Sequence, residues 1–471
     1  MRMFIRGEWV DRSDRIEIRN PFDGSIVDSV PQAHIDDVET AIAGATEGAA
    51  IMRQISAYDR FKILRKAADL MIQRQQELGQ LISREEGKTL AEGVFEAGRA
   101  AITMECCAEE AKRIGGEVLP LDAAPGGAGK LGFTLRVPCG VVLAITPFNF
   151  PLNLVCHKVG PALAAGNAVI VKPASNTPLS ALQLVEILLA AGLPPLGIAC
   201  LTGGGGTIGE ALCKDARIRK ISFTGSVEVG QRICHTAGLK RVTMELGSNS
   251  PLIVLDDADL TKVSEAVVAT GYGNAGQVCI STQRVIASGR IYDDLVDSLR
   301  PKIAAIRVGD PQAAATQMGP MIRESDAVRV SQWIDEAVAQ GAKLVVGGER
   351  RGNLVPATLL SDVRPEMRVS RDELFGPAVS VLRASSVDDA IALANDSRYG
   401  LSAGVFTESL DRAVEFARRI DSGNIHINWG PAWRADLMPY GGLKESGFGK
   451  EGPKYAIQEM TESKTVVIHA R

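Results

Sequence analysis

The chain lacks any run of about eighteen apolar residues, the length a helix needs to cross a bilayer, so no membrane span is expected. The N-terminus, Met1 to Trp9, shows no apolar stretch ahead of a small-residue cleavage site, and a secretory signal is not expected either. The eight cysteines, at 106, 107, 139, 156, 200, 213, 234 and 279, form no CxxC pair and no Cys/His cluster. Neither a zinc site nor a disulfide framework has support, and no metal is expected. A reducing cytoplasm is the expected compartment, with most of these thiols acting as small buried hydrophobes. Net charge is −4, which gives a polyanion nothing to hold, so no nucleic-acid partner is expected. Internal repeats and low-complexity tracts are absent as well.

What is present is an ordinary globular composition in a long chain. With 471 residues, 45% of them apolar and 23% charged, two or three domains are expected. To about residue 30 the chain reads as polar, with a turn at Asn20–Gly24. From about 36 to 115 the pattern is helical, as in Arg60 to Met71, where apolar residues recur at three-and-four spacing. Asp122 to Gly129 reads as a hairpin-like excursion. Short apolar runs then alternate with helical patterns: Val141–Ile145, Ala168–Val171, Ile198–Leu201 and Lys220–Phe223, with a helix over Leu179–Ala191 among them. A second alternating series begins at Arg284 and ends near Asn428. Two α/β domains with parallel sheets are the natural reading. The last segment, Ser463 to His469, is a lone strand that must pair either with the 118–138 excursion or with another subunit.

Three segments carry chemistry. Cys279 sits among small residues in Gly276–Ser281; Glu245 precedes Leu246-Gly-Ser; Asn149 lies between Pro147 and Pro151, just after a strand. A thiol, a carboxylate and an amide donor suggest covalent catalysis on a carbonyl. Each alone has a plain alternative: a buried thiol, a solvated glutamate, a turn-forming asparagine. Gly204-x-Gly206-x-x-Gly209 matches a dinucleotide fingerprint, but the acidic residue expected after the next strand is missing, and a simple tight loop is an equal reading. Phe223-Thr-Gly-Ser226 would open a helix whose free N–H groups can face an anion. Lys172 lies just past a strand end, where open α/β sheets bind ligands, or else is a surface lysine. Glycine-dense loops follow at Glu373–Pro377 and Pro439–Lys450.

Together these segments resemble the aldehyde dehydrogenase superfamily over essentially the whole chain. The resemblance rests on Pro147-Phe-Asn-Phe-Pro, Pro161–Asn167, Val171-Lys-Pro-Ala, Phe223-Thr-Gly-Ser, Glu245-Leu-Gly, Gly276-Gln-x-Cys279, Glu373-x-Phe-Gly-Pro and Pro439-Tyr-Gly-Gly. It implies an α/β, aldehyde dehydrogenase-like fold: two open parallel-sheet domains plus a β oligomerisation arm. The implied NAD(P)-binding domain is 1–117 with 139–246, the catalytic domain 247–452, and the arm 118–138 with 453–471. Cys279 is then the nucleophile, Glu245 the general base, and Asn149 with the Cys279 backbone N–H the oxyanion hole. Lys158 matches a lysine beside the catalytic group. Lys172 would hold the adenosine ribose, Gly225 and Ser226 would face the pyrophosphate, and Glu373 the nicotinamide-side ribose. Phe375 would pack near the nicotinamide, and Thr146, Pro147, Phe148, Ser175 and Leu246 complete the cofactor set. The resemblance also favours the plain reading of Gly204–Gly209.

Within that resemblance the expected reaction is NAD(P)-dependent oxidation of a small aldehyde to its carboxylate through a thioester on Cys279. Ser175 stands where a glutamate often disfavours a 2′-phosphate, so NADP fits as well as NAD. The segments Leu246–Asn249 and Glu109–Arg113 resemble the branch handling lactaldehyde, phosphorylated and phosphonate aldehydes and semialdehydes. His157, Arg434 and Arg99, with Tyr440 nearby, are expected near the substrate, where cations could hold an anionic tail; the alternative is that Arg99 and Arg434 make structural ion pairs. A coenzyme A-acylating enzyme is disfavoured by the presence of Glu245. An inactive structural relative is disfavoured by the survival of thiol, base and amide together. A homo-oligomer, dimer or tetramer, is expected.

Overall fold

The structure is a computed structural model that describes residues 1–469. Four helices, Ile35–Gln54, Ala57–Gln73, Gln75–Glu86 and Leu90–Ala111, form the early layer. Their starts are written in the sequence. Ser56 accepts the Asp59 N–H, and Thr89 and Glu92 close a reciprocal capping box.

Eight strands make the first sheet, in the order Glu8–Val10, Met3–Ile5, Ile198–Cys200, Ala168–Lys172, Val141–Ile145, Ile218–Thr224, Arg241–Glu245 and Gly447–Phe448. The five central strands are parallel. Val142 and Ala144 face one core with the helices Ala57–Gln73 and Asn153–Ala164, whereas Val141 and Leu143 face the opposite core with Ile35–Gln54. Burial on both faces is why these strands read as unbroken apolar runs. From Val141–Ile145 the chain winds one way through Ala168–Lys172 to Ile198–Cys200, then returns to pair Ile218–Thr224 on the other side. The strand order therefore switches between Val141–Ile145 and Ile218–Thr224, and the crevice beyond their carboxyl ends is where such sheets take ligands.

The second sheet has seven strands, in the order Lys343–Val346, Thr358–Ser361, Ala378–Ala384, Arg284–Ser288, Pro251–Val254, Ser402–Phe406 and Asn424–Ile427, parallel except at the first. It wraps its own core, which includes Leu252, Ile286, Leu360 and Val405. A third, antiparallel sheet joins Val118–Leu119, Lys130–Pro138 and Thr461–His469, with register from Thr461↔Pro138 to His469↔Lys130. The terminal strand thus pairs with the excursion. The helix before it, Pro453–Glu459, instead puts Ile457 in the first core. Ala470 and Arg471, the end of the expected arm, lie outside the described residues.

The first thirty residues carry more structure than a polar, turn-bearing reading gives them: two strands join the first sheet and two, Arg15–Arg19 and Ile26–Pro31, make a hairpin. Met3–Ile5 is buried throughout, whereas the other three mix exposed, half-buried and buried positions, and Glu8–Val10 is only three residues long. Pro251–Val254 and Thr358–Ser361 are further strands of four residues each; in the second, polar Thr358 and Ser361 leave only two apolar residues, whereas the first is an apolar run as long as Ala168–Val171. Among the described residues no helix is long and apolar enough to cross a membrane.

Candidate active site

Glu245 ends a strand of the first sheet, and Pro251 begins one of the second. The chain crosses between the two sheets there, and a cavity of about 290 Å³ opens beside the crossing, lined by Glu245, Cys279, Tyr440, Arg434, Thr224 and Phe150 among others. Cys279 reaches it on a tight turn. Asn274 and Ala275 adopt left-handed backbone at φ 50° and 52°, and at Gly276 (φ 69°) a Cβ would meet the Gly376 carbonyl at 2.1 Å, so only glycine fits.

The Cys279 sulfur lies 3.3 Å from the Tyr440 hydroxyl. Burial pushes the thiol up to about 12, with Glu373 and Glu245 adding to it; the Tyr440 hydrogen bond and the Arg434 charge work the other way. Both oxygens of Glu245 are buried and have no hydrogen-bond partner among the described residues. Burial, then the charge of Glu451, holds its carboxyl well above the usual range. A carboxylate so placed suits proton abstraction, because nothing in the protein satisfies its lone pairs. Asn149 Nδ2 donates to the Gln277 carbonyl at 2.8 Å, while its Oδ1 is unpartnered among the described residues. The amide is thereby tied to the backbone two residues ahead of Cys279.

Lys158 is fully buried and donates to Glu451 Oε1 at 2.8 Å and to Ser222 at 3.3 Å. Arg434 Nη1 donates to Glu451 Oε2 at 3.0 Å, its Nη2 lies 3.1 Å from His157 Nδ1, and its guanidinium carbon sits 4.0 Å above the Tyr440 ring. Burial works against the Glu451 charge, but Lys158 and Arg434 outweigh it and hold the carboxyl below its ordinary range. His157 lies behind Arg434 rather than in the cavity wall; its Nε2 is 2.9 Å from Asp436 Oδ1, and burial followed by the Arg434 charge brings it down to about 4. Arg99 does line the cavity and forms a two-pronged pair with Asp436, at 3.1 and 2.8 Å. Both arginines are therefore ion-paired, and Arg434 Nε is left buried without a partner among the described residues.

Glu451, Asp436 and Ser222 organise these groups, and sequence reasoning missed all three. An acidic residue inside the glycine-dense stretch from Gly447 to Gly452 was the available signal for Glu451. Asp436, two residues past Arg434, offered none beyond proximity.

Several residues of the expected cofactor set lie at or beside the switch point, and Glu373 and Phe375 come from the second sheet's side. Thr146 follows one of the two strands that flank that point and Thr224 ends the other, and both hydroxyls are buried without partners among the described residues. Lys172 ends the neighbouring strand; its ammonium donates to the Pro173 carbonyl at 2.6 Å, and burial lowers it to about 8. Gly225 and Ser226 precede the helix Val227–Ala237, and Ser226 caps it through the Val229 N–H. Leu246 packs on Gly230 of that helix. Glu373 accepts the Ser248 N–H at 2.9 Å, and burial raises its carboxyl to about 7. Phe375, at φ 49°, stands edge-on to Phe148 with ring centres 6.0 Å apart. Ser175 donates to the Gly203 carbonyl at 2.8 Å. Unsatisfied hydroxyls, an amine, a carboxyl and a helix start at a strand crossover suit a dinucleotide's ribose hydroxyls and phosphates. In the Gly204–Gly209 loop, by contrast, a Cβ at Gly204, Gly205 or Gly206 would meet nothing within 4 Å, so packing does not demand these glycines.

Residues 9–466 match the profile of the Aldehyde dehydrogenase family. The chain is 46% identical over 467 residues to 3-sulfolactaldehyde dehydrogenase from Priestia megaterium, an alignment covering 99% of this chain and 98% of that protein. Among solved structures it resembles aldehyde dehydrogenase 21 from Physcomitrella patens, in complex with the reaction product succinate (37% identity, TM-score 0.97, 99% of this chain and 98% of that one). It also resembles NADP-dependent glyceraldehyde-3-phosphate dehydrogenase from Bacillus halodurans complexed with NADP (37% identity, TM-score 0.97, 100% and 99%). The chain belongs to the aldehyde dehydrogenase family. It is an NAD(P)-dependent oxidoreductase acting on aldehydes, with the α/β fold of that family.

Proposed function

We propose that the chain oxidises a small anionic aldehyde to its carboxylate through a thioester on Cys279. The observation that carries the anionic part is Arg434. It lines the cavity, its Nε has no partner among the described residues, and one phenol ring separates it from the nucleophile. A substrate whose carbonyl carbon bonds the sulfur would bring a nearby anionic group to that free N–H. The similar proteins support the same chemistry, since sulfolactaldehyde, glyceraldehyde 3-phosphate and the succinate product each carry an acidic group.

The Cys279 thiolate adds to the carbonyl carbon, and the carbonyl oxygen becomes an oxyanion held by Asn149 Nδ2 and a backbone N–H. Removing one such donor typically costs about 10²–10³ in rate. Bound NAD(P), held by the crevice residues from Thr146 to Phe375, supplies the acceptor for the hydride the adduct gives up on becoming a thioester. Glu245 then takes a proton from water, the hydroxide equivalent attacks the thioester carbon, and the C–S bond breaks to release carboxylate and regenerate the thiol. Glu245, with no protein partner competing for its lone pairs, supports transfer to water rather than to coenzyme A.

The three-stranded sheet of residues 118–138 and 461–469 serves as the oligomerisation arm. Its exposed Val118, Leu131, Leu135, Val467 and Ile468 support burial against a second copy, as dimer or tetramer. All eight cysteines are free, which fits a reducing cytoplasm. The test is an aldehyde panel, anionic and neutral, with NAD and NADP, followed by acid trapping and peptide mass mapping. Acylation at any position other than 279 defeats the reading, and so does indifference to the anionic group.

A further inference from the structure

Lys88, from the early helical layer, and Asn274, from the turn that leads to Cys279, converge on one backbone carbonyl, that of Asn149. Thr146 to Leu152, which carries Asn149, contains no helix or strand, so side-chain tethers set its shape. Lys88 supplies several at once. Its Nζ donates to the Asn149 carbonyl at 2.6 Å and to Glu96 Oε2 at 2.7 Å, and lies 4.2 Å from the centre of the Phe150 ring. Glu96 turns its other oxygen to the Leu152 and Asn153 N–H groups, at 3.0 and 3.1 Å, which begin the helix carrying Lys158. Lys88 and Glu96 are 1% and 2% exposed.

A second tether reaches the same carbonyl from the nucleophile side. Asn274 Nδ2 donates to the Asn149 carbonyl at 3.2 Å and to Glu86 at 2.9 Å, and the Asn274 N–H donates to Glu92 at 2.7 Å. Asn274 begins the left-handed turn that leads to Cys279. One carbonyl thus joins the amide loop to the thiol turn. Replacing a buried ion pair by well-packed apolar groups is often neutral or favourable to stability, so the Lys88–Glu96 pair is weak evidence for a purely stabilising role.

We propose that Lys88 is a positioning residue for the oxyanion hole. By fixing the Asn149 carbonyl it fixes the rotation of that residue's backbone and so the direction of the Asn149 amide. The proposal rests on Asn149 being the oxyanion donor, and its test separates the two claims.

The experiment is a double-mutant cycle on the full-length enzyme with saturating aldehyde and cofactor, using Asn149→Ala, Lys88→Met and the pair. Asn149→Ala lowers kcat by about 10²–10³. Lys88→Met lowers it by about 10–100, because a misplacement near 1 Å costs on that order, with KM for both substrates within about twofold of wild type. In the Asn149→Ala background the Lys88 substitution costs less than about threefold, since the group it positions is gone. A full multiplicative loss in that background overturns the proposal, as does wild-type kcat in Lys88→Met. Wild-type kcat in Asn149→Ala overturns the oxyanion assignment itself. If Lys88→Met does not fold, Asn274→Ala removes the second donor to the same carbonyl. It lowers kcat by about 3–10, again only while Asn149 is present, and a loss that persists without Asn149 overturns the proposal.

Discussion

The Tyr440 hydroxyl lies 3.3 Å from the Cys279 sulfur, and the Arg434 guanidinium stacks 4.0 Å from the centre of the same ring. One aromatic side chain therefore touches the Cys279 sulfur with its edge and the Arg434 guanidinium with its face.

Tyr440→Phe keeps the ring and removes the hydrogen bond. That bond favours the thiolate, so its loss moves the Cys279 pKa further up from about 12. At any pH below that value less thiolate is present. The rate of inactivation by iodoacetamide falls, and its rise with pH moves to higher pH, while Arg434 stays in place. An unchanged pH profile removes Tyr440 from thiol activation.

Glu245→Gln stalls the second half of the reaction. A burst of NADH or NADPH equivalent to the enzyme is followed by turnover slower by about 10²–10⁴, the usual worth of a general base. In the wild type the base acts only when deprotonated, and its pKa is raised by burial and Glu451. Hydrolysis of the thioester therefore rises with pH above the ordinary carboxylate range. Steady-state rates untouched by the substitution take Glu245 out of this role.

Arg434→Ala raises KM for succinate semialdehyde by about tenfold or more relative to KM for propanal, the scale of a charge-assisted hydrogen bond. It also leaves Glu451 short of one of its two cationic partners, so propanal kcat is measured alongside. Equal effects on both aldehydes discard the anion clamp.

Ser175 carries no charge to repel a 2′-phosphate, and wild-type kcat/KM with NADP equals or exceeds that with NAD. Ser175→Glu lowers kcat/KM for NADP by about tenfold while changing NAD little, the cost of a like charge within reach of the phosphate. A wild-type enzyme that rejects NADP refutes this reading.

Much of the architecture was legible because parallel strands buried on both faces leave unbroken apolar runs: Val141–Ile145 and the helix Leu179–Ala191 are found where the pattern places them. Cys279, Glu245 and Asn149 stood out because each is a reactive or polar residue set among glycine or proline. The groups that orient them did not. Lys88 lies between two helices and Glu96 within the second, where a lysine and a glutamate eight apart look solvated, yet both are buried. Glu451 meets Lys158 across 293 residues and Asp436 meets Arg99 across 337. Pairing over such separations is a property of the folded chain, and no local pattern records it. For Arg434 and Arg99 the same blindness left two readings open, and each arginine is found paired with a carboxylate.

The two-residue strand Gly447–Phe448 zips onto the edge of the first sheet beside Met244 and Glu245, and Glu451 follows at once. A ribosome must therefore add roughly two hundred residues beyond Glu245 before that carboxyl acquires its surroundings, and Cys279 emerges well over a hundred residues ahead of Glu451. A product that terminates before Gly447 lacks both the edge strand beside Glu245 and the carboxylate that Lys158 and Arg434 hold.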